Sequence, residues 1–324
     1  MCTAISFMTK EHLFGRTLDL EYSFNESVII TPRNYKFSFR NSECRNNHYA
    51  IIGIGIISND YPLYYDAVNE KGLGIAGLNF PQNAVYNDIT DKKINIASFE
   101  FIPYILSNCD SVEDSIEYIK KINITNVAFS NEFPTSPLHW IIADSKKVIT
   151  IEPLAEGIKI YDNPVGVLTN NPTFDYHLFS LNNYRNISPY EKQSEFSKDF
   201  ELTKYSRGLS AVGLPGDLSS NSRFVRACFT KLNSISPNNK NGGITQFFHI
   251  LEVVSQTNGC VRLEDGKLEQ TVYTSCCDTE NLIYYFTTYC NRQINAVKLL
   301  NENIDSNKLI RYNIEKEQQI KFIN

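Results

Sequence analysis

The hydrophobic period of this chain changes repeatedly along its length, and those changes restrict the fold more than any single residue does. The first 80 residues carry CTAISF, HLFGRTLDLEY, SVIITPR and YAIIGIGII, β-rich runs separated by polar or glycine-containing turns. LYYDAVNEKGLGIAGLNF follows as strand, Asn-Glu-Lys-Gly turn and strand. Helical spacing then takes over in ASFEFIPYILSNC and SVEDSIEYIKKI, the second with Ser111 placed as N-cap and Asp114 three residues on. LHWIIADSKKVITIEPL and IKIYDN return to strand. PTFDYHLFSLNNY, SSNSRFVRACFTKLNSI and ITQFFHILEVVS are helical, and LEQTVYTS to KLIRYNI is strand again. Blocks of strands alternating with blocks of helices predict an α+β fold, with helices on the outer faces of packed antiparallel sheets. No internal repeat or low-complexity tract divides the chain. One domain over 1–324 is expected, with an exposed Tyr- and Ser-rich loop over 183–208.

Charge and composition exclude several classes of function. A net charge of −5 argues against a general nucleic-acid binder, which needs a basic face to neutralise phosphates. No apolar run is long enough for a membrane-spanning helix, and MCTAISFMTKEHLF lacks the basic leader and long apolar stretch of a secretory signal. The eight cysteines, Cys2, Cys44, Cys109, Cys228, Cys260, Cys276, Cys277 and Cys290, show no C-x-x-C spacing, so reduced thiols in a cytoplasm are expected. The N-x-[ST] sequences at Asn25, Asn123 and Asn186 then carry no meaning for glycosylation.

Cys2 is the residue with the most specific chemistry. An inert thiol is the ordinary outcome for a cysteine at such a position. Loss of the initiator methionine, however, would leave it with both a thiol and a free α-amine. An α-amine titrates near about 7.7–8.0, close to working pH, so one residue can supply nucleophile and general base. Arg16 and Asp19 in FGRTLDLEY lie three apart in a strand-like run. Alternation puts them on opposite faces, so a turn or bulge is needed to bring both to one site; a solvated surface pair is the ordinary alternative. GLGIAG, Gly72 to Gly77, fits G-x-G-x-x-G, but Pro81 argues against the helix that a dinucleotide site requires. Close packing within a strand is the expected role of those glycines. His12, His48, His139, His177 and His249 are scattered and form no metal-binding motif, and no G-x-S-x-G is present. TNNPTFDYH and GLPGDLSSNSRFVR read as loops leading into helix N-termini, and Asn170 could donate to an oxyanion.

In order and spacing these segments resemble the choloylglycine hydrolase family, most closely its bacterial bile salt hydrolases. The resemblance rests on MCTAISF, FGRTLDLEYSF, VIITPRN, NEKGLGIAGLNFP, LHWIIAD, GVLTNNPTFDYH, GLPGDLSSNSRFVR, FFHIL and TVYTS, and it runs over nearly the whole chain. It implies the four-layer αββα sandwich of N-terminal-nucleophile hydrolases, with Met1 removed on maturation. It implies cleavage of the amide bond of glycine- or taurine-conjugated bile salts without a cofactor. Carried over by motif, Cys2 is nucleophile and base, Arg16 and Asp19 tune and orient it, Asn79 and Asn170 take oxyanion-hole positions, and Arg223 is the active-site arginine. Asn171 follows Asn170 directly and is the other register at that motif. Leu18, Phe129 and Phe133 match positions that line the steroid pocket, although core packing accounts for them equally well. Arg207, in the polar loop, is a candidate for meeting the acid group of the conjugate, against the simpler reading of a solvated arginine. Three alternatives stay open: a penicillin V acylase or other N-acyl amide hydrolase, partial acyl transfer to amines, and a non-catalytic bile-salt-binding protein. Relatives suggest a homotetramer in which 183–208 reaches between subunits.

Overall fold

The computed structural model describes residues 1–237 and 239–324. Its strands are β1 (Cys2–Met8), β2 (His12–Leu20), β3 (Ser27–Thr31), β4 (Ile51–Ser58), β5 (Tyr61–Asn69), β6 (Gly74–Asn79), β7 (Ile94–Ala97), β8 (Ile122–Thr125) and β9 (Leu138–Ala143). They continue as β10 (Val148–Leu154), β11 (Gly157–Asp162), β12 (Val167–Leu168), β13 (Val261–Arg262), β14 (Leu268–Asp278), β15 (Ile283–Thr288), β16 (Asn295–Lys298) and β17 (Ile310–Asn313). The helices are α1 (Phe101–Asn108), α2 (Val112–Ile119), α3 (Phe174–Ser180), α4 (Ser220–Asn233) and α5 (Lys240–Glu252).

Two large antiparallel sheets form the centre. One has the order β12-β1-β2-β14-β15-β16, with β13 added to β14; the other runs β11-β10-β9-β6-β5-β4-β3-β17. The strands of the second sheet are apolar on both faces, and this sets the layering. Val28 and Ile30 of β3 point into the core between the sheets, while Ile29 points into a separate outer core. Ile141 and Ala143 of β9 likewise face inward, and Trp140 and Ile142 outward. Helix α1 covers that outer face, where Phe101 stacks on Trp140 with ring centroids 4.2 Å apart. On the far side, α4 and α5 cover β1, β2 and β14, burying Phe224, Ala227, Phe247 and Leu251. The result is the αββα sandwich. A strand buried on both faces needs no polar alternation, which is why runs such as IIGIGII are almost unbroken.

Local chemistry fixes the element ends. Ser111 caps α2 by accepting from the Asp114 N–H at 3.3 Å. The helix expected over 111–122 stops at Ile119, because Ile122–Thr125 instead pairs in parallel with Ile94–Ala97. Gly72 turns the β5–β6 hairpin at φ +85°, and a Cβ on Gly74 would lie 2.6 Å from the ring of Phe14. The glycines of GLGIAG therefore serve a tight turn and close sheet packing. Residues 183–208 run mostly exposed between α3 and α4.

Candidate active site

Cys2 opens β1 and is 3% exposed. It stands opposite Leu18 of β2, and Met1 extends the ladder by one residue. The Met1 amine donates to the Asp19 carbonyl at 2.6 Å, and the Asp19 N–H donates to the Met1 carbonyl at 2.9 Å. The same amine forms an ion pair with Glu269 Oε1 at 2.8 Å. The backbone of Cys2 faces the other way. Its N–H donates to Asn170 Oδ1 at 2.8 Å, and its carbonyl accepts from Arg223 Nη1 at 2.5 Å. The residue is held on both sides of its Cα.

Arg16 and Asp19 occupy opposite faces of β2, as alternation requires, and β2 pairs with β1 without a bulge. The irregularity lies in β14, between Thr271 and Tyr273. Arg16 enters the space between the sheets, where Nη1 donates to the carbonyls of Tyr65 (3.2 Å) and Gly77, and Nε to that of Thr17 (3.1 Å). Its Nη2 has no hydrogen-bond partner among the described residues. Burial works most strongly against its charge, but the Cys2 thiol, then Tyr273, Asp66 and Asp19, outweigh it and raise the pKa above the ordinary value. Asp19 lies on the helix-facing side, its carboxylate accepting from Thr271 Oγ1 at 2.6 Å and Thr17 Oγ1 at 3.2 Å. No regular bend brings the two together: Arg16 shares the face of Cys2 and Leu18, whereas Asp19 meets the start of β1 through its backbone, at Met1.

Asn170 follows β12 and joins most of the site. Two donors, Cys2 N–H and Arg223 Nη2 at 2.8 Å, converge on its Oδ1, which orients the amide. Its Nδ2 donates to the Asn79 carbonyl at 2.7 Å, leaving a second N–H on that nitrogen. Its backbone is fixed by Ser220 Oγ (2.8 Å) and by His177 Nε2, 2.9 Å from its carbonyl. Burial lowers the His177 pKa to about 4, so the ring is a neutral donor at pH 7. Asn171 turns away, donating to the Pro81 carbonyl and to Asn83 Oδ1, both at 2.6 Å. Arg223 comes from the first turn of α4, is fully buried, and also donates to Thr3 Oγ1 at 2.8 Å. Burial is the main influence lowering its pKa, against Asp19, Cys2 and Glu269. Asn79 ends β6 with its side chain exposed.

The other expected residues divide. Leu18 is buried beside Cys2 in the core between the sheets. Phe129 belongs to the outer core, with Arg40 over its ring at 5.5 Å. Half-buried Phe133 bridges it to Phe24, at centroid distances of 6.3 and 6.2 Å. Exposed Phe24 and Tyr22, 4.7 Å apart, extend this aromatic surface and carried no motif. Arg207 lies on the exposed loop and has no recorded contact with these residues among those described. Two buried acids escaped sequence reasoning: Glu269, and Asp66, which accepts from Tyr273 (2.6 Å), Ser275 (3.0 Å) and Tyr284 behind Arg16. Among the described residues no cluster of His, Cys, Asp or Glu is arranged to hold a metal ion.

Comparison with known proteins gives a consistent result. The description of the linear amide C–N hydrolases, choloylglycine hydrolase family, matches residues 2–312. A bile salt hydrolase/transferase of Lactiplantibacillus plantarum is 52% identical over 324 residues, covering 100% of both chains. The crystal structure of the C2A mutant of the conjugated bile acid hydrolase from Clostridium perfringens superposes with a TM-score of 0.92 at 40% identity, covering 100% of both. A penicillin V acylase from Agrobacterium tumefaciens shares the fold at a TM-score of 0.75 and 21% identity, covering 96% of this chain and 91% of its own. The chain belongs to the choloylglycine hydrolase family of linear amide C–N hydrolases.

Proposed function

We propose that the mature chain, beginning at Cys2, hydrolyses the amide bond of glycine- or taurine-conjugated bile salts. The observation that carries this reading is the placement of the Cys2 nitrogen: it is held by Asn170 Oδ1 on the same residue as the thiol, and only the Met1 peptide occupies its lone pair. With Met1 removed, that nitrogen is a base beside its own thiol. Arg16, buried on the face of β2 that Leu18 shares with Cys2, supplies a fixed positive charge on the thiol's side of the sheet. The thiolate attacks the amide carbonyl, and the tetrahedral oxyanion falls to the free N–H of Asn170 and the Asn79 region. The α-ammonium passes its proton to the departing nitrogen. Water, activated by the same amine, then cleaves the thioester. Arg223, through Asn170 and the Cys2 carbonyl, keeps base and nucleophile in register. The apolar body of a steroid would lie on Leu18, Phe133, Phe24 and Tyr22, since its binding energy is mostly burial.

A second reading has specific support. The L. plantarum relative is named as a transferase as well as a hydrolase, so an amine in place of water at the thioester is proposed as a side reaction. The penicillin V acylase is similar at the level of fold alone. The test is a panel of glycocholate, taurocholate and penicillin V, run on protein whose N-terminal mass has been checked. Bile salt turnover well above that of penicillin V is expected, with none in Cys2→Ala at unchanged thermal stability. A form extended before Cys2 that works as fast as the trimmed form would remove the α-amine from the mechanism.

A further inference from the structure

The ion pair at Met1 defines a seat for an ammonium group that persists after Met1 is gone. Its acceptors are the Asp19 carbonyl, 2.6 Å from the Met1 nitrogen, and Glu269 Oε1, 2.8 Å away. Neither belongs to Met1, and both are fixed by the sheets. Asp19 is held in β2 between β1 and β14, and Glu269 of β14 pairs with Val261 of β13. Glu269 is 5% exposed and no arginine or lysine forms an ion pair with it among the described residues, so loss of Met1 removes its ion-pair partner and leaves Arg223 acting on it without direct contact. Burial already pushes its carboxyl up, and the Met1 amine pulls it back. The Asp19 N–H, bound to the Met1 carbonyl at 2.9 Å, is released together with the seat.

Position gives the seat its meaning. Only two carbons separate the nitrogens of Met1 and Cys2, so the seat lies within about 4 Å of the mature α-amine. The amine that leaves the substrate must also come within hydrogen-bond reach of that α-amine to collect its proton. A residue-sized gap offering one anion, one carbonyl and one N–H matches the two ends of a small amino acid.

Resting on the hydrolase reading above, we propose that Glu269 and the Asp19 backbone form the subsite for the free amino acid, taking its ammonium at Glu269 and the Asp19 carbonyl and its acid group at the Asp19 N–H. On hydrolysis the C–N bond breaks, the Cys2 α-ammonium protonates the departing nitrogen, and the neutral amine takes a second proton from water as it settles in the seat. In the transfer direction the ammonium returns that proton to water. The neutral amine then attacks the thioester carbonyl, forming C–N and breaking C–S; the Cys2 α-amine takes the proton that the attacking nitrogen loses, and the thiolate leaves.

The experiment uses trimmed protein and compares wild type, Glu269→Gln and Glu269→Asp. Glycocholate turnover by wild type is measured first; its absence would overturn the hydrolase reading and the subsite with it. Glycine is then added as product inhibitor, with glycolate, which lacks the amine, beside it. A charge-assisted hydrogen bond is worth about 1.5–3 kcal/mol, or roughly 10–100-fold, so Glu269→Gln should raise the glycine inhibition constant at least about tenfold. Glu269→Asp should restore part of the loss, and glycolate should inhibit neither. An unchanged glycine constant in a folded Glu269→Gln protein overturns the subsite while leaving the hydrolase intact. So does glycolate inhibiting as well as glycine. A displaced limb of the pH–rate profile in Glu269→Gln also overturns it, since Glu269 would then act on the Cys2 amine itself.

Discussion

Asn170 is bound to groups on three sides: the Cys2 nitrogen, Arg223, and the end of β6 through the Asn79 carbonyl. On the proposed mechanism, removing its amide takes away an oxyanion donor and the partner that aims the base. Asn170→Ala should therefore lower kcat by about 10²–10³, the usual cost of one such donor, with a smaller change in KM. Asn171→Ala, one residue on, should stay within about threefold of wild type, because its amide bonds Pro81 and Asn83 and not Cys2 or Arg223. Steady-state kinetics on the pair decides the register at TNN. That motif was legible in the sequence because its residues are contiguous. Glu269 and Asp66 were not, because each is a single acid in an otherwise ordinary strand, and only the pairing of distant strands brings Glu269 to Met1 and Asp66 to Arg16. Phe24 was hidden for a similar reason: an aromatic residue beside a turn declares nothing until Phe133 is seen 6.2 Å away.

Strand β2 carries the heaviest demands of any element, since it holds Leu18, Arg16 and Asp19 while lying between β1 and β14. Gly15 makes that pairing possible. A Cβ there would sit 2.1 Å from the Ser275 carbonyl oxygen, a backbone atom that cannot rotate away. Gly15→Ala should cost at least the upper end of the about 1–3 kcal/mol typical of overpacking, read as a lower urea midpoint, and should lower activity by displacing Arg16. Periodicity located such strands well, because β1 to β6 are long and the apolar run is itself the signal. It failed at Ile94–Ala97 and Ile122–Thr125, four-residue strands joined to helices, where a parallel partner elsewhere in the chain outweighs local spacing. The opposite faces of Arg16 and Asp19 were foreseen from alternation. No bulge in β2 brings them to one face: the Asp19 carboxylate stays with Thr17 and Thr271, and only its backbone meets the start of β1.

At the scale of the whole molecule, two buried histidines link stability to pH. His12, bonded to Ser6 and Thr279, and His177 are each lowered from 6.5 to about 4, in both cases chiefly by burial. A depressed folded pKa means the unfolded chain binds more protons, so this contribution is complete above pH 6.5 and is lost as pH falls toward 4. Each shift corresponds to roughly 3 kcal/mol. Urea titrations should show the stability gap between wild type and His177→Asn narrowing over that interval. The loop over 183–208 leaves Tyr190, Phe196, Phe200 and Tyr205 at 79, 76, 60 and 85% exposure, and we propose that these apolar side chains meet another subunit. Light scattering is expected to give a homotetramer, and a short Gly-Ser replacement of the loop a smaller species. The cysteines, finally, are distributed so that the molecule carries its own reporters. Cys44, Cys260 and Cys290 are exposed and should take up a thiol reagent at once. Cys109 caps the C-terminus of α1 within the outer core, Cys228 lies in α4, and Cys276 and Cys277 lie in β14. Burial raises the pKa of each of these four, so none can be labelled until its own layer opens. The order in which they are modified in dilute denaturant, read by peptide mass, would therefore tell which slab of the sandwich lets go first.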